Sequence, residues 1–437
     1  MARKWGMLPT GCGLAAVVLI CSTAGAGYLT VVGGPTYSPN TGGYQNPTIP
    51  GTASVTDTGV AIANITRYEA HGSPISTGGI RFDAQRNFAE LNSFIPGVDG
   101  LHAGRVFAIN NGGTAVGYIR QYDSNQDLDR EFVARWGPAS DTAIQLSSPG
   151  TYPTGKSTAF GINSSGAIIG MADLMGAVFA PGGGSTLLVG PNGAAARPTA
   201  INDSGTVVGT PFTAAIRWDP GETQGVSIGS GNPKGINNDG IIFGNNVNGN
   251  QPLRWSPDAT TPEQLGKLST GPASAADINN AGIIVGTSNN DIAKRAVYWL
   301  PTGTAPTDLG MLPAYEYGSA RAINNVNSIV GSISRDAPAG GFEFTAVYWP
   351  SLSSEPVDLN TLIDPLSGWI LNSAEDISDT GWILGTGLFD PDGPGGQAAY
   401  VRPFLLQVPE PALALNCCAV FSLLWGRRRA KYGIDRA

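Results

Sequence analysis

Cysteine is almost absent, and its placement matters more than its number. The 437 residues hold four, Cys12, Cys21, Cys417 and Cys418, all near the two ends. The body between them therefore has no disulfide, no thiolate metal centre and no thiol nucleophile. Histidine is as scarce, with only His71 and His102. Charged residues make up 13% of the chain, too few for a chain kept disordered by its charge. Basic residues are short in the body. Setting aside Arg3, Lys4, Arg427, Arg428, Arg429, Lys431, Asp435 and Arg436 leaves 18 basic against 32 acidic residues, a net of −14. Nucleic acid is excluded as a partner, because binding it needs clustered positive charge to displace counterions. No apolar run reaches bilayer length. The longest near the C-terminus, Ala412 to Trp425, has fourteen residues, against the ~20 a spanning helix needs.

What is abundant is glycine, at 61 residues, and proline, at 32, a turn- and strand-rich composition. Within it one phrase recurs, Ile-Asn-x-x-Gly-x-h-h-Gly with h apolar. It starts at Ile109, Ile162, Ile201, Ile236, Ile278, Ile323 and, as Ile-Ser, at Ile377. Asparagine can bond its own backbone at the head of a tight turn, and glycine accepts the positive φ at its end. In the sixth copy that glycine is Asn327, the residue best suited to replace it. The phrase thus reads as strand, turn, return strand.

A second signal follows each phrase. An aromatic ends a third strand at Trp136, Phe179, Trp218, Trp255, Trp299 and Trp349, with a proline just beyond. Ten residues after each aromatic stands an apolar residue: Leu146, Val189, Ile228, Leu265, Leu309 and Leu359. Fixed spacing is what a hairpin of fixed register demands. Four short antiparallel strands per unit predict an all-β fold, a β-propeller of seven or eight four-stranded blades. A stacked solenoid would need a near-constant rung, and the intervals here run 53, 39, 35, 42, 45 and 54. The eighth unit is a degraded one, from Val55 through Arg81-Phe82 to Leu91. The expected organisation is a signal peptide at 1–26, a linker or closing strand at 27–50, the propeller at 51–407 and a sorting segment at 408–437.

The ends read as addresses. Arg3 and Lys4, the apolar stretch Leu14 to Ile20 and Ala24-Gly25-Ala26 meet the three-part rule for a secretory signal. At the other end stand Pro409-Glu410-Pro411, an apolar stretch and Arg427-Arg428-Arg429. This block resembles the PEP-CTERM sorting signal. The resemblance implies export in a Gram-negative-type bacterium, transient membrane anchoring, an exosortase-type sorting enzyme as partner, and a link to exopolysaccharide or biofilm matrix. The repeat itself resembles that of the HAF-type extracellular repeat proteins, through Ala322-Ile323-Asn324, Ala296-Val297-Tyr298-Trp299 and Thr307-Asp308-Leu309-Gly310, over residues about 100–405. The His-Ala-Phe that names the group is replaced by Ala-Val-Tyr-Trp or Ile-Arg-Trp. That resemblance implies fold and location, not chemistry.

In such a meander the two fixed-length turns of every blade share one face, and the loops of varying length share the other. Binding residues concentrate on variable loops held by a rigid scaffold. The loop-face candidates are the aromatics Tyr122, Tyr152, Tyr315, Tyr317, Phe342 and Trp369, which can stack on sugar rings or plug gaps between blades. Asp123, Asn125, Asp127 and Glu131 alternate oxygen donors as a calcium loop does. Leu128 stands where such loops prefer glycine and no glutamate occupies position twelve, so a solvated acidic loop is the other reading. Asp390-Pro391-Asp392-Gly393 is a shorter fragment of that kind, or a turn. Calcium is the candidate ion and no other cofactor is indicated. No His-Glu-x-x-His or complete sialidase Asp box is present, and no catalytic residue is assigned. The sequence therefore points to an exported binding or structural module directed at polysaccharide or surface proteins. The alternative is a propeller hydrolase or lyase, whose acid and base would have to be carboxylates.

Overall fold

A computed structural model of the chain describes residues 28–33, 49, 54–68, 74–91, 102–122, 128–147, 156–211, 214–338, 340–393, 396 and 399–409. The signal region, Tyr152, Asp123, Asn125, Asp127, Glu410 and Pro411 lie outside them. The body from Tyr28 to Val408 is all-β: eight antiparallel sheets arranged in a ring as a β-propeller. Seven sheets have four strands. The eighth, blade 1, has Val60–Tyr68, Pro74–Asp83 and Phe88–Leu91. Its innermost strand is reduced to a bridge between Val55 and Ala61, supported by the Ile62 N–H donating to the Ser54 carbonyl at 2.9 Å. The degraded unit is thus a real blade, and the count is eight.

Blade 6 shows the pattern. Strands A to D are Ala273–Ile278, Ile284–Asn289, Lys294–Trp299 and Pro306–Asp308. Strands A of successive blades ring the axis. Blade 8 has Trp369–Ile377, Trp382–Phe389 and Tyr400–Gln407 from the end of the chain. Its outer strand, Val32–Gly33, comes from the beginning, pairing Val32 with Leu405. One sheet built from both ends closes the ring.

The core is divided among the blade boundaries. Eight apolar clusters lie between successive blades, one per boundary. Each aromatic that ends a strand C is at the centre of one. Trp136, Trp218, Trp255, Trp299, Trp349 and Phe179 are no more than 1% exposed. A buried indole N–H needs an acceptor, and four of these indoles find theirs in the preceding blade. Trp218, Trp255, Trp299 and Trp349 donate to the carbonyls of Val189, Ile228, Gly266 and Leu309 at 2.7–3.0 Å. The ten-residue spacing read from the sequence is therefore part of a longer rhythm in which the fourth strand of one blade receives the tryptophan of the next.

The glycines of the phrase do different jobs. The first closes the turn with positive φ, +77° at Gly282, and Asn327 takes the same role at φ 65°. The second sits opposite a bulge in strand A, where the register shifts between Ala275 and Asp277. A Cβ on Gly286 would fall onto the carbonyl oxygen of Ser274. Gly286→Ala should therefore destabilise the protein by about 3 kcal/mol or more, because a backbone carbonyl cannot yield as a side chain can. Denaturant unfolding measures this, and a loss below about 1 kcal/mol would show that the bulge relaxes freely.

Candidate functional site

The phrase asparagines form the wall of a site no single hairpin could make. In blade 6, Asn279 Oδ1 accepts the Ile283 N–H at 3.0 Å and so locks its own turn. Its amide Nδ2 donates to the Asn324 carbonyl of blade 7 at 3.1 Å. Asn110, Asn163, Asn202, Asn237 and Asn324 donate in the same way to Asn163, Asn202, Asn237, Asn279 and Ser378. In blade 8, Ser378 Oγ takes over the turn-locking role, accepting the Trp382 N–H, and the Thr380 hydroxyl donates to the Asp57 carbonyl of blade 1.

The next residue of each phrase builds an outer circle. The N–H of Asn238 donates to Asn280 Oδ1, that of Asn280 to Asn325 Oδ1, and that of Asn325 to Asp379 Oδ1. Asp379 N–H donates to Asp57 Oδ1, and Asp57 N–H to Asn111 Oδ1. Ser164 and Asp203 continue it on the other side. Among the described residues, one boundary lacks this link. Between blades 2 and 3, Ser164 presents a side chain one atom shorter than asparagine.

Together the two circles frame a cavity of about 340 Å³ at the turn-face mouth of the channel. Its wall includes two carboxylates that belong to none of the sequence motifs above, Asp277 and Asp376. Each stands just before a phrase isoleucine, a position held in other blades by Ala108, Gly161, Ala200, Gly235 and Ala322. An aspartate in that small-residue column was a readable signal. Asp277 accepts the N–H of Ile278 at 2.8 Å and, across the blade boundary, that of Ile323 at 2.9 Å. Asp376 accepts from Ile377 in its own blade and from Ser54 and Val55 of blade 1. Burial pushes the Asp277 carboxyl up to about 7, against the pull of those two N–H groups, with the charge of Asp376 adding to the rise. Asp376 is also raised, by burial first, opposed by its three N–H donors. Asp203 on the rim moves the other way. Partial burial raises its pKa, but its bonds to Ser164 and Asn238 outweigh that and lower it.

The loop-face candidates separate into groups. Tyr317 and Phe342 meet edge to face at 5.6 Å, and Phe342 touches Phe344 at 6.1 Å. Tyr315 lies beside them under the Arg335 guanidinium, 5.4 Å from its ring centroid, with its hydroxyl bonded to Thr345 at 2.8 Å. Phe342 and Phe344 are 56% and 48% exposed, so this cluster faces solvent. Trp369 instead packs on Phe389 and Phe404 at 5.0 and 6.4 Å, close against Gly33 of the closing strand. It fastens blade 8. Tyr122 ends strand B of blade 2, Ala115–Tyr122. Of the calcium-loop residues, Glu131 is bonded to Arg120 at 2.7 Å and to the Thr158 hydroxyl. Both of its oxygens are thus engaged, which leaves this carboxylate a poor ligand for a cation. Among the described residues no three His, Cys, Asp or Glu side chains converge as a metal site. Asp390 Oδ1 accepts the Gly393 N–H at 2.9 Å, which makes that fragment a turn.

No family model and no curated protein matches the chain. Solved structures do. Virginiamycin B lyase from Staphylococcus aureus is 11% identical at a TM-score of 0.38, covering 84% of this chain and 100% of that one. An oligogalacturonate lyase in complex with manganese is 9% identical at 0.41, covering 88% and 99%. Porphyromonas gingivalis dipeptidyl peptidase 4 is 8% identical at 0.44, covering 83% of this chain and 59% of that one. At these identities and scores the similarity carries no argument about the site.

Two outcomes test the geometry of the mouth. Asn279→Ala leaves the Ile283 N–H without its acceptor and removes the link to the Asn324 carbonyl, which keeps only the Asn327 N–H of its own turn; it should cost roughly 2–3 kcal/mol, whereas Asn280→Ala on the exposed rim should cost under about 1 kcal/mol. Equal losses in urea unfolding would refute the division of labour. Asp277 holds its proton more tightly when folded than when unfolded. Its contribution to stability is therefore full below about pH 4, the ordinary carboxylate range, and is lost as pH rises through about 7. The stability of the natural protein relative to Asp277→Asn should fall over that window. A difference that is flat or rises with pH contradicts the assignment.

Proposed function

We propose that this protein is an exported, cell-surface or matrix-associated propeller that acts as a binding and structural module, with polysaccharide as its ligand class. The observation that carries the reading is the solvent-facing aromatic cluster on blade 7. Tyr317 begins strand A, Tyr317–Ile323, and Phe342 begins strand C, Phe342–Trp349. Register sets Tyr317 and Phe344 on either side of Ser334. Rings held in place by sheet pairing lose little freedom when a sugar face stacks on them. Arg335, paired with Glu343 at 2.7 Å, adds polar groups at the edge. The N-terminal signal pattern and the PEP-CTERM-like tail support export and handling by an exosortase-type enzyme, and the HAF-like repeat supports an extracellular setting.

A propeller hydrolase or lyase is the second reading. The observation in its favour is Asp277, a buried carboxyl with a pKa near neutrality beside a cavity, the kind of group that can act as acid or base. Its bonds to two backbone N–H groups also suit a purely structural role. Product release from the producer's exopolysaccharide, abolished by Asp277→Asn, would establish this reading, and no turnover would end it.

For the binding reading, the purified protein should be retained on immobilised exopolysaccharide from the producing cells. Tyr317→Ala with Phe342→Ala should weaken retention by roughly tenfold or more, as expected when stacking contacts are removed. A chelator arm reports whether calcium contributes. Retention unchanged by the double substitution, or none at all, would contradict the proposal.

A further inference from the structure

Three cations on the innermost strands, Arg105, Arg197 and Lys234, have no carboxylate partner among the described residues. Each strand A is bonded to strand B on one edge and covered on both faces by neighbouring blades, so the exposed Arg105 and Lys234 in the middle of theirs meet solvent in the channel, and Arg197, at the start of its strand, reaches the wall through Phe160 of blade 3. Contacts between successive blades trace that wall. Phe107 and Phe160 meet edge to face at 6.2 Å, and the Arg197 guanidinium lies 4.2 Å above the Phe160 ring. Arg321 approaches Glu375 at 3.8 Å. Phe107, Phe160, Lys234, Arg321 and Glu375 all stand two residues before a phrase isoleucine, and Arg105 and Arg197 stand four before.

Cations farther out behave differently. Arg120, Arg217, Arg254, Arg295 and Arg335 each form an ion pair with a carboxylate of their own blade. On the channel wall, Arg105, Arg197 and Lys234 form no ion pair and no side-chain hydrogen bond among the described residues, and Arg197 has only its contact with Phe160. Lys234 is reached by solvent yet crowded enough that lost hydration lowers its pKa. Lys294, on the edge of blade 6, is lowered by burial and by the nearby charge of Arg321. In a body with a net charge of −14, carboxylates are the commoner partner. Lys234, kept apart from them, loses hydration without gaining a counter-ion, a cost that a bound anion would offset.

We propose that the central channel is a binding site for an acidic sugar, in which Arg105, Arg197 and Lys234 hold the carboxylate of a uronic acid and Phe160, backed by Phe107, contacts the ring. Guanidinium groups match a carboxylate with paired donors, and an ammonium adds a point charge. The aromatic face distinguishes a sugar-borne carboxylate from a free inorganic anion. This site lies apart from the aromatic cluster of blade 7, and either can fail without the other.

The test is calorimetric titration of the whole protein with a trimer of galacturonate, the methyl-esterified trimer and inorganic phosphate. The acidic trimer should bind, and more weakly as salt is raised. The ester, which keeps the rings and loses the charges, should bind roughly tenfold more weakly or not at all. Lys234→Gln with Arg197→Gln should reduce affinity for the acidic trimer by a similar factor without lowering the melting temperature, because both side chains are exposed and neither holds a partner that folding depends on. Tyr317→Ala with Phe342→Ala should leave it unaltered. No binding of the trimer, equal binding of acid and ester, or indifference to the channel substitutions overturns the proposal. Phosphate binding as tightly as the trimer overturns the assignment of a sugar.

Discussion

An asparagine that bonds forward and backward at once is the contact on which this ring depends. Its carbonyl oxygen closes the turn of its own blade, and its amide reaches the backbone of the next. A hairpin needs only the first bond. The second converts a local turn signal into a statement about how far apart, and at what angle, two sheets stand. Because the amide is buried, as at Asn279 and Asn324 with 2% and 4% exposure, a blade displaced from its neighbour would strand that donor away from water, at a cost of roughly 1–3 kcal/mol, while the carbonyl it reaches keeps the N–H of its own turn.

The remaining contacts follow from that spacing. With the inner ends of the blades fixed, the gap between successive sheets is a wedge, and each wedge is filled by a tryptophan or phenylalanine from strand C. The tryptophan N–H points to the preceding blade while the asparagine amide points to the following one. Each sheet is thus tied in both directions, at the rim of the core and at its axis. Closure between blades 8 and 1 lacks the asparagine, and other residues take its place: Asp376 receives two blade 1 N–H groups, Thr380 and Asp379 bond to Asp57, and Val32–Gly33 completes the outer edge.

Much of this could be read from the chain. The turn was legible because Asn327 replaces glycine where only a left-handed residue fits, and the blade because tryptophan and proline recur at fixed spacing. What the spacing could not show was the partner. Asn324 lies 45 residues from Asn279, a distance that varies from blade to blade, so the phrase looked like hairpin chemistry alone and its face looked inert. Residue type alone marks the loop-face aromatics in the sequence. Structure sorts them by support: Phe342 stands in solvent with the half-buried Tyr317 against it, whereas Trp369 is packed into the closing blade. Arg105, Arg197 and Lys234 were invisible as a group, because nothing in sequence marks them as sharing a channel until strand A is known to be innermost.

The central claim is that the repeated phrase holds blades together and does not merely turn the chain. Hydrogen exchange of the backbone amides tests it most directly. The turn-face N–H groups of Asn238, Asn280, Asn325 and Asp379, each bonded to a side chain of the next blade, should be protected far beyond ordinary exposed turns. That of Asn111, at the boundary where the outer circle is broken, should exchange fastest. Exchange of all these amides at the rate of free loops, with no distinction at Asn111, would contradict the account.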